Sequence, residues 1–526
     1  MSQILTDEVG QAFQLKDSDS QEVTGKECLF ANINTVNSIA TFLSTSLGPT
    51  GMDKILISKD DIVTVTNDGA TILNEMEMTN NPISQLVLQL SQSQDEEIGD
   101  GTTSIVILAS SILNQAKKLI EKGMHPIKIT EGFNLALNLA IEHLDRISEE
   151  VTDMSTYLLK AAKTSLGSKI VSLGDISGLC VDAALAVADL PRKDLDLELI
   201  NIQSKPGKSI SDTVLIKGIV LKKEFSHPQM GKEFKNAKIA LLSCPFEPPR
   251  LKNKNSLLIH SAEEYKKVEK YEKSKFLEMI AALKNSKADL VMCQWGFDDE
   301  ANSLLMQNSL PAVRWVGGHD LGHMAAHIGG SIISRFEDLK EEHLGLANVR
   351  EESLGTDSSK IIIVESPSKD KSVTILIRGS TEYIIEEAKR SIRDALCAIR
   401  NLIRNNRIVY GGGSCELSMS LHLKKAAKEY VPEEEEAIVA FANSLLEIPI
   451  LLAKNSGHEP ISYVEKLTTL HSSETDYSLG VDCLETGERS MKKMGIFEAL
   501  ESKTRQIKMA IDLANVILKI SDVILI

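Results

Sequence analysis

Twice along this 526-residue chain the apolar residues change their period. Up to about residue 190 they recur mainly every three to four positions, as amphipathic helices require. Val36, Ile39, Ala40, Leu43 and Leu47 form one stripe, ended by Gly48-Pro49. Ile83, Leu86, Val87 and Leu90 form a second, and Ile105, Leu108, Ala109, Ile112, Leu113, Ala116 and Ile120 a third. Between the first two, "DKILIS" and "IVTVT" read as short paired strands. The middle then breaks into β-like runs, "DTVLIKGIVLKKEF", "AKIALLSC", "ADLVMCQW", "AVRWVGG" and "SIISRF", with helical or loop segments between them. After "VTILIRGS" the helical stripes return from Glu382, closing on a β-like "DVILI". The order helix-rich, α/β, helix-rich predicts nesting, with both chain ends forming one helical domain around an inserted α/β module.

Charge and composition exclude several classes. A net charge of −16 argues against a general nucleic-acid or anionic-membrane surface. No uninterrupted apolar run approaches the ~18–20 residues of a membrane span, and the polar, acidic start resembles neither a signal nor a transit peptide. Seven scattered cysteines without a Cys-x-x-Cys pair fit single thiols in a reducing compartment.

The chemistry concentrates in "EIGDGTTS", Glu97 to Ser104, between two predicted helices. A glycine-rich loop opening a helix offers N–H donors to an anion. This one carries an acid and no lysine, so a phosphate there needs a cation such as Mg²⁺, held by Asp100. Gly101, Thr102, Thr103 and Ser104 would supply the donors. Without a ligand, the same residues read as a turn with threonine capping the helix. Gly411-Gly412-Gly413 also precedes a helix and Gly48-Pro49-Thr50-Gly51 a strand, while neither a Walker nor a Gly-x-Gly-x-x-Gly dinucleotide motif is present. Asp394, four residues after Arg390 and off its helix's apolar stripe, reads by itself as half of a surface ion pair. "HDLGHMAAH" spaces His319, His323 and His327 like a zinc helix, but Asp320 and three glycines argue instead for an exposed loop leading into a helix, with spectator histidines.

Several motifs occur together and in register: "TSLGPTGMDK", "VTVTNDGATIL", "GDGTTS", "TSLGSK", "RDALCAIRN", "VYGGG" and "LGVDCL". Across essentially the whole chain they resemble the group II chaperonins. "LLSCPFEPPRLKNK", "CQWGFDDEANSLLMQNSLPAVRWVGG" and the tyrosine of "VYGGG" look like the epsilon-type branch of the eukaryotic cytosolic members. "SISDTVLIKGIV" and "GHDLGHMAAHIGG" depart from that pattern.

The resemblance implies a multidomain fold: a mainly α equatorial ATPase domain (1–143 and 405–526), a small α/β intermediate domain (144–211 and 367–404), and an α/β apical domain (212–366) inserted between them. It implies ATP and Mg²⁺, with Asp100 on the metal and Leu47, Gly48, Pro49, Gly101, Thr102, Thr103 and Ser104 around the phosphates. Lys169 would sense the γ-phosphate. Asp68 and Asp394 would orient and activate the attacking water, with domain closure bringing Asp394 to Asp100. Gly412, Gly413, Asp482, Glu498 and Lys503 would surround ribose and base. The stretch "FEPPRLKNKN" and the charged helix after it resemble a protrusion serving as a built-in lid. There Ser261 and Glu264 would form a capping box, and Phe276, Met279 and Ile280 would be core or client anchors. Implied partners are sister subunits in a cytoplasmic hetero-oligomeric double ring, eight per ring, unfolded clients such as actin and tubulin, and a prefoldin-like co-chaperone. Neither nucleic acid nor membrane is implied. The competing expectations are a ring subunit that binds nucleotide without hydrolysing it and, from the histidines, a zinc hydrolase.

Overall fold

The computed structural model describes residues 4–6, 12–14, 22–58, 61, 63–76, 81–169, 176–247, 259–353, 360–367, 372–474 and 476–524. Its contacts divide into one unit of residues 1–181 and 386–526 and another of residues 182–385.

The first unit is organised around the Thr102–Glu121 helix. Every residue from Ile105 to Leu113 is buried, so the helix is enclosed on all sides. Gly25–Ser44 packs on it from the N-terminal part of the chain, and Pro432–Leu445 and Leu500–Leu518 from the C-terminal part. Two polar residues of this core are satisfied: the Ser110 hydroxyl donates to Asn37 Oδ1 and that of Ser111 to the Ser444 carbonyl. Gly132 lets Pro126–Ile147 cross Pro432–Leu445 closely, since a Cβ there would lie 2.4 Å from the Ala437 Cβ. Pro432–Asn455, two helices end to end, is apolar and long enough to span a membrane by composition, yet 67% of its most apolar window is buried inside the fold. Asn443, Ser444 and Glu447 interrupt that stretch, which is why no unbroken apolar run is visible in the sequence.

Four small antiparallel sheets complete this unit, one of them the pair Ile4–Thr6 and Ala12–Gln14. Arg407–Tyr410 pairs with Glu149–Glu150 on one side and Phe497–Ala499 on the other, setting Tyr410 opposite Phe497 and Val409 opposite Glu498. Lys54–Ile57 pairs with Val63–Thr66 in a hairpin, and Asp522–Ile524 with Glu22–Thr24. The end of "DVILI", residues 525–526, lies outside the described residues.

The second unit holds a seven-stranded mixed sheet. Glu233–Leu242 runs parallel to Leu290–Cys293 and Ile332–Ile333 and antiparallel to Gly345–Ser353. Ala312–Val313 adds beyond Leu290–Cys293, while Lys360–Glu365 and Ile219–Leu221 extend the antiparallel side. A smaller sheet centres on Val373–Gly379, between Ile200–Pro206 and Val214–Ile216.

Local expectations here were met unevenly. Gly318–Ile328 is a full helix rather than a loop leading into one, with His327 buried and its Nε2 accepting from the Ser366 N–H. Among the described residues no three His, Cys, Asp or Glu side chains group to hold a metal. Phe276 and Ile280 are buried in the core of this unit and Met279 packs partly against it, so they are internal rather than client anchors. Ser261 caps Ala262–Asn285 by accepting from the Glu264 N–H, but Glu264 reaches back to the His260 N–H, one residue short of a reciprocal box. The Pro248–Asn255 part of "FEPPRLKNKN" lies outside the described residues. All seven cysteines are free thiols, six of them buried.

Candidate functional site

The Thr102–Glu121 helix begins without a side-chain cap. Gly101 occupies the N-cap position in the left-handed region at φ 78°, a conformation glycine adopts without strain. Thr102 does not cap, contrary to the ligand-free reading of this loop; its hydroxyl donates to Asp68 Oδ1 at 2.8 Å. The first N–H groups of the helix thus lack intrahelical acceptors and face the loop. Asp68 caps the neighbouring Gly69–Glu75 helix, where its Oδ2 accepts from the N–H and hydroxyl of Thr71 at 2.9 and 2.8 Å. Gly69 allows the two helix starts to touch, because a Cβ there would meet Thr103 Oγ1 at 2.7 Å.

Two cavities meet at this loop. The smaller, about 150 Å³, is lined by Asp68, Asp100, Thr102, Thr103, Ser168, Lys169 and Asp394 among others. The larger, about 460 Å³, shares Leu47, Gly48, Asp100, Gly101 and Ser104 with it and continues past Pro49 to Gly412, Gly413, Glu498 and Lys503. Of the residues expected at the site, Asp482 alone lines neither. Its carboxylate accepts from the N–H groups of Leu484 and Gly487 and so shapes the loop that brings Cys483 and Leu484 to the larger cavity.

Asp394 is not part of a surface pair. Its side chain is only 16% exposed and binds Lys169, whose own side chain is 8% exposed; Arg390 pairs instead with Glu387. Three carboxylates, Asp68, Asp100 and Asp394, thus surround the Lys169 ammonium. Burial alone would lower the Lys169 pKa, but Asp394 and Asp68 hold it above the ordinary amine value. Burial also works against ionised Asp68, yet Lys169 and the Thr71 and Thr102 hydrogen bonds keep its carboxyl below the usual range. Asp100 is raised, chiefly by burial. Burial, with Asp68 and Asp100 nearby, outweighs the Lys169 attraction at Asp394 and pushes it up to about 8. One acid therefore stays ionised, while burial raises the other two.

At the other end, Gly412 and Gly413 both have positive φ, and Cβ atoms there would strike Met491 and Pro449. Lys503, 4% exposed, binds Glu416 at 2.8 Å and Glu498 at 2.6 Å. Burial opposes its charge, but the two glutamates hold it protonated, well above the ordinary amine value. Replacing Lys503 by methionine would leave two acids without their cation. Lys503→Met is expected to destabilise the unit by about 3–5 kcal/mol; a denaturant midpoint equal to that of the native chain would refute this.

Several polar residues that support the site were not among those expected there. Gln94 is fully buried on Pro82–Glu97 and donates to the Asp100 carbonyl. Asn401 donates to the Ile98 carbonyl, Gln506 bonds Gly101 and Ser104, and Asn67 donates to the Ser168 carbonyl. Asn455 secures the turn before Gly48 through the carbonyls of Ser44 and Leu47. One signal was available for Gln94: it stands eleven residues after Ile83, on the same stripe as Ile83 and Val87, where an apolar residue would be expected.

The donor set fits a nucleotide with a divalent cation. Three buried carboxylates share one lysine, and a divalent cation would favour the ionised form of the two that burial raises. Mg²⁺ takes one or two protein carboxylates and completes its shell with phosphate and water, so the lack of a three-ligand cluster is no obstacle.

Comparison with known proteins agrees in scale with the whole chain. Residues 39–525 match the model of the TCP-1/cpn60 chaperonin family. The chain is 62% identical over 527 residues to T-complex protein 1 subunit epsilon of Encephalitozoon cuniculi, covering 100% of this chain and 99% of that protein. It is 37% identical to the thermosome subunits alpha and beta of Aeropyrum pernix, over 96% and 99% of this chain and 92% and 96% of theirs. With the glycine-rich loops and buried acids in place, the chain belongs to the TCP-1/cpn60 chaperonin family, in the group II branch that holds the epsilon subunits.

Proposed function

We propose that this chain binds Mg-ATP across the two cavities and hydrolyses it, as one subunit of a cytoplasmic hetero-oligomeric chaperonin double ring. The observation that carries the reading is the grouping of Asp68, Asp100, Asp394 and Lys169 around a cavity that opens through a helix N-terminus into a larger, partly apolar one. Mg²⁺, when bound, would neutralise phosphate charge beside Asp100. The helix N-terminus at Thr102–Ser104 would receive phosphate oxygens. Asp394, with its raised pKa, suits the role of a base that takes a proton from water near neutral pH. Asp68 stays ionised and hydrogen-bonded, which suits it to orient that water rather than to accept its proton. Lys169 would hold Asp394 in place and balance charge at the terminal phosphate.

On this reading, residues 1–143 and 405–526 form the equatorial domain, 144–211 and 367–404 the intermediate domain, and 212–366 the apical domain. Hydrolysis would be coupled to closure of the apical part over unfolded clients, with actin and tubulin the expected classes and a prefoldin-like protein a possible donor of them. In this structure Asp394 already lines the same cavity as Asp100, so closure would adjust the water site rather than deliver the aspartate.

The test is single-turnover ATP hydrolysis resolved at this subunit in the assembled ring. Asp100→Ala should weaken Mg-ATP binding by about tenfold or more, a loss of at least about 1.4 kcal/mol. A native subunit that retains ATP without cleaving it would support the hydrolytically silent alternative instead.

A further inference from the structure

Three lysines reach the wall of the larger cavity, and they are held differently. Lys503 is committed to Glu416 and Glu498, and Lys163 is exposed. The Lys160 ammonium stands over two aromatic rings, 5.5 Å from the Phe497 centroid and 5.7 Å from that of Tyr157. Among the described residues no carboxylate pairs with it. The rings are themselves fixed. Phe497 is buried opposite Tyr410 in the small sheet and packs against Tyr410 and Tyr157 at 5.8 and 5.1 Å between centroids. Gly495, at φ 74°, leaves room for the lysine stem, since a Cβ there would come within 3.1 Å of Lys160 Cδ.

Lys160 and Phe497 line the part of the cavity that the smaller, acidic one does not share, and Tyr157 packs on Phe497. On the nucleotide reading, a triphosphate at the Asp100 loop leaves its base in the unshared part of the cavity, where Val481, Ile496 and Phe497 offer apolar wall beside Lys160. We propose that Lys160 is the base-holding residue of this site, its ammonium shared between the Phe497 and Tyr157 rings and the face of the bound purine. A cation already seated on aromatic faces and without a competing acid is placed for a further cation–π contact, and partial desolvation in the cavity strengthens it. The inference rests on the nucleotide reading above and adds how the base is retained.

The probe is 2-azido-ATP, which tags residues around the base, applied to the assembled ring with labelling read in this subunit alone. Lys160→Met keeps the stem and removes the charge, so half-saturating probe should rise about 3- to 30-fold. Lys160→Arg, which also stacks on aromatic rings, should stay within about twofold of native. Native half-saturation in Lys160→Met overturns the assignment, and so does an Arg variant as weak as the Met variant. A native subunit that takes up no label overturns the nucleotide reading beneath it, which separates the two failures.

Discussion

Asp394→Ala is expected to lower hydrolysis at this subunit by about 10²- to 10⁴-fold, the range a general base supplies, while Mg-ATP affinity changes by less than about threefold. A base acts on water in the transition state and not on ground-state phosphate, so its loss appears in kcat rather than in binding. The neighbouring groups sharpen the expectation. Asp68 is held ionised by Lys169, Thr71 and Thr102 and cannot readily replace a missing base. With Asp394 pushed up to about 8, its active, unprotonated fraction grows as pH rises. The kcat/KM of the native subunit should therefore increase through about pH 8, and that inflection should vanish in the variant. Because the substitution also strips Lys169 of its closest partner, a melting curve must accompany the kinetics. Equal and substantial losses of binding in Asp394→Ala and Asp100→Ala would end the division of roles between them.

The second large effect concerns assembly. Ile55 and Ile57 are 68% and 70% exposed and, two residues apart in one strand, point to the same side of the hairpin. Among the described residues the hairpin strands pair only with each other, so unpaired edges accompany an apolar face, a combination that invites another strand. Leu56, from the opposite face of the strand, packs against the core and anchors the hairpin there. On the proposed reading, the expected occupant is a neighbouring subunit of the ring. Burying two isoleucines contributes about 3–6 kcal/mol. The double variant Ile55→Asp, Ile57→Asp should therefore fold but be lost from the ring, with little of it co-purifying with sister subunits. The native chain expressed alone should likewise fold no clients. A stable monomer that folds clients unaided, or a double variant incorporated at native levels, would overturn this account.

Much of the helical unit was legible beforehand because its signals are local. The Ile105–Ile120 stripe, the glycines at 48, 101 and 411–413 and the aspartate at 100 announce themselves by period or by backbone need, and the loop lies between the two helices where it was expected. Strands were harder to read: Gly345–Ser353 and Lys360–Glu365 went unseen, since "GLANVREES" alternates weakly and its partners lie elsewhere in the chain. Family likeness named Asp394 and Lys169, but the spacing of residues pointed to Arg390 as the partner. The actual pair joins positions 225 apart, and no local period can encode such a meeting. Gln94, Glu416 and Asn401 share this character: each is an ordinary polar residue on a helix until another segment buries it. The sequence by itself thus determined which segments are helices, where the backbone must turn, and that an acidic phosphate-type loop opens a helix. Tertiary structure alone decided which acids share the one lysine, which of them burial shifts, and which side chains close the cavity. The reason is that desolvation and charge pairing depend on neighbours brought together from both ends of the chain.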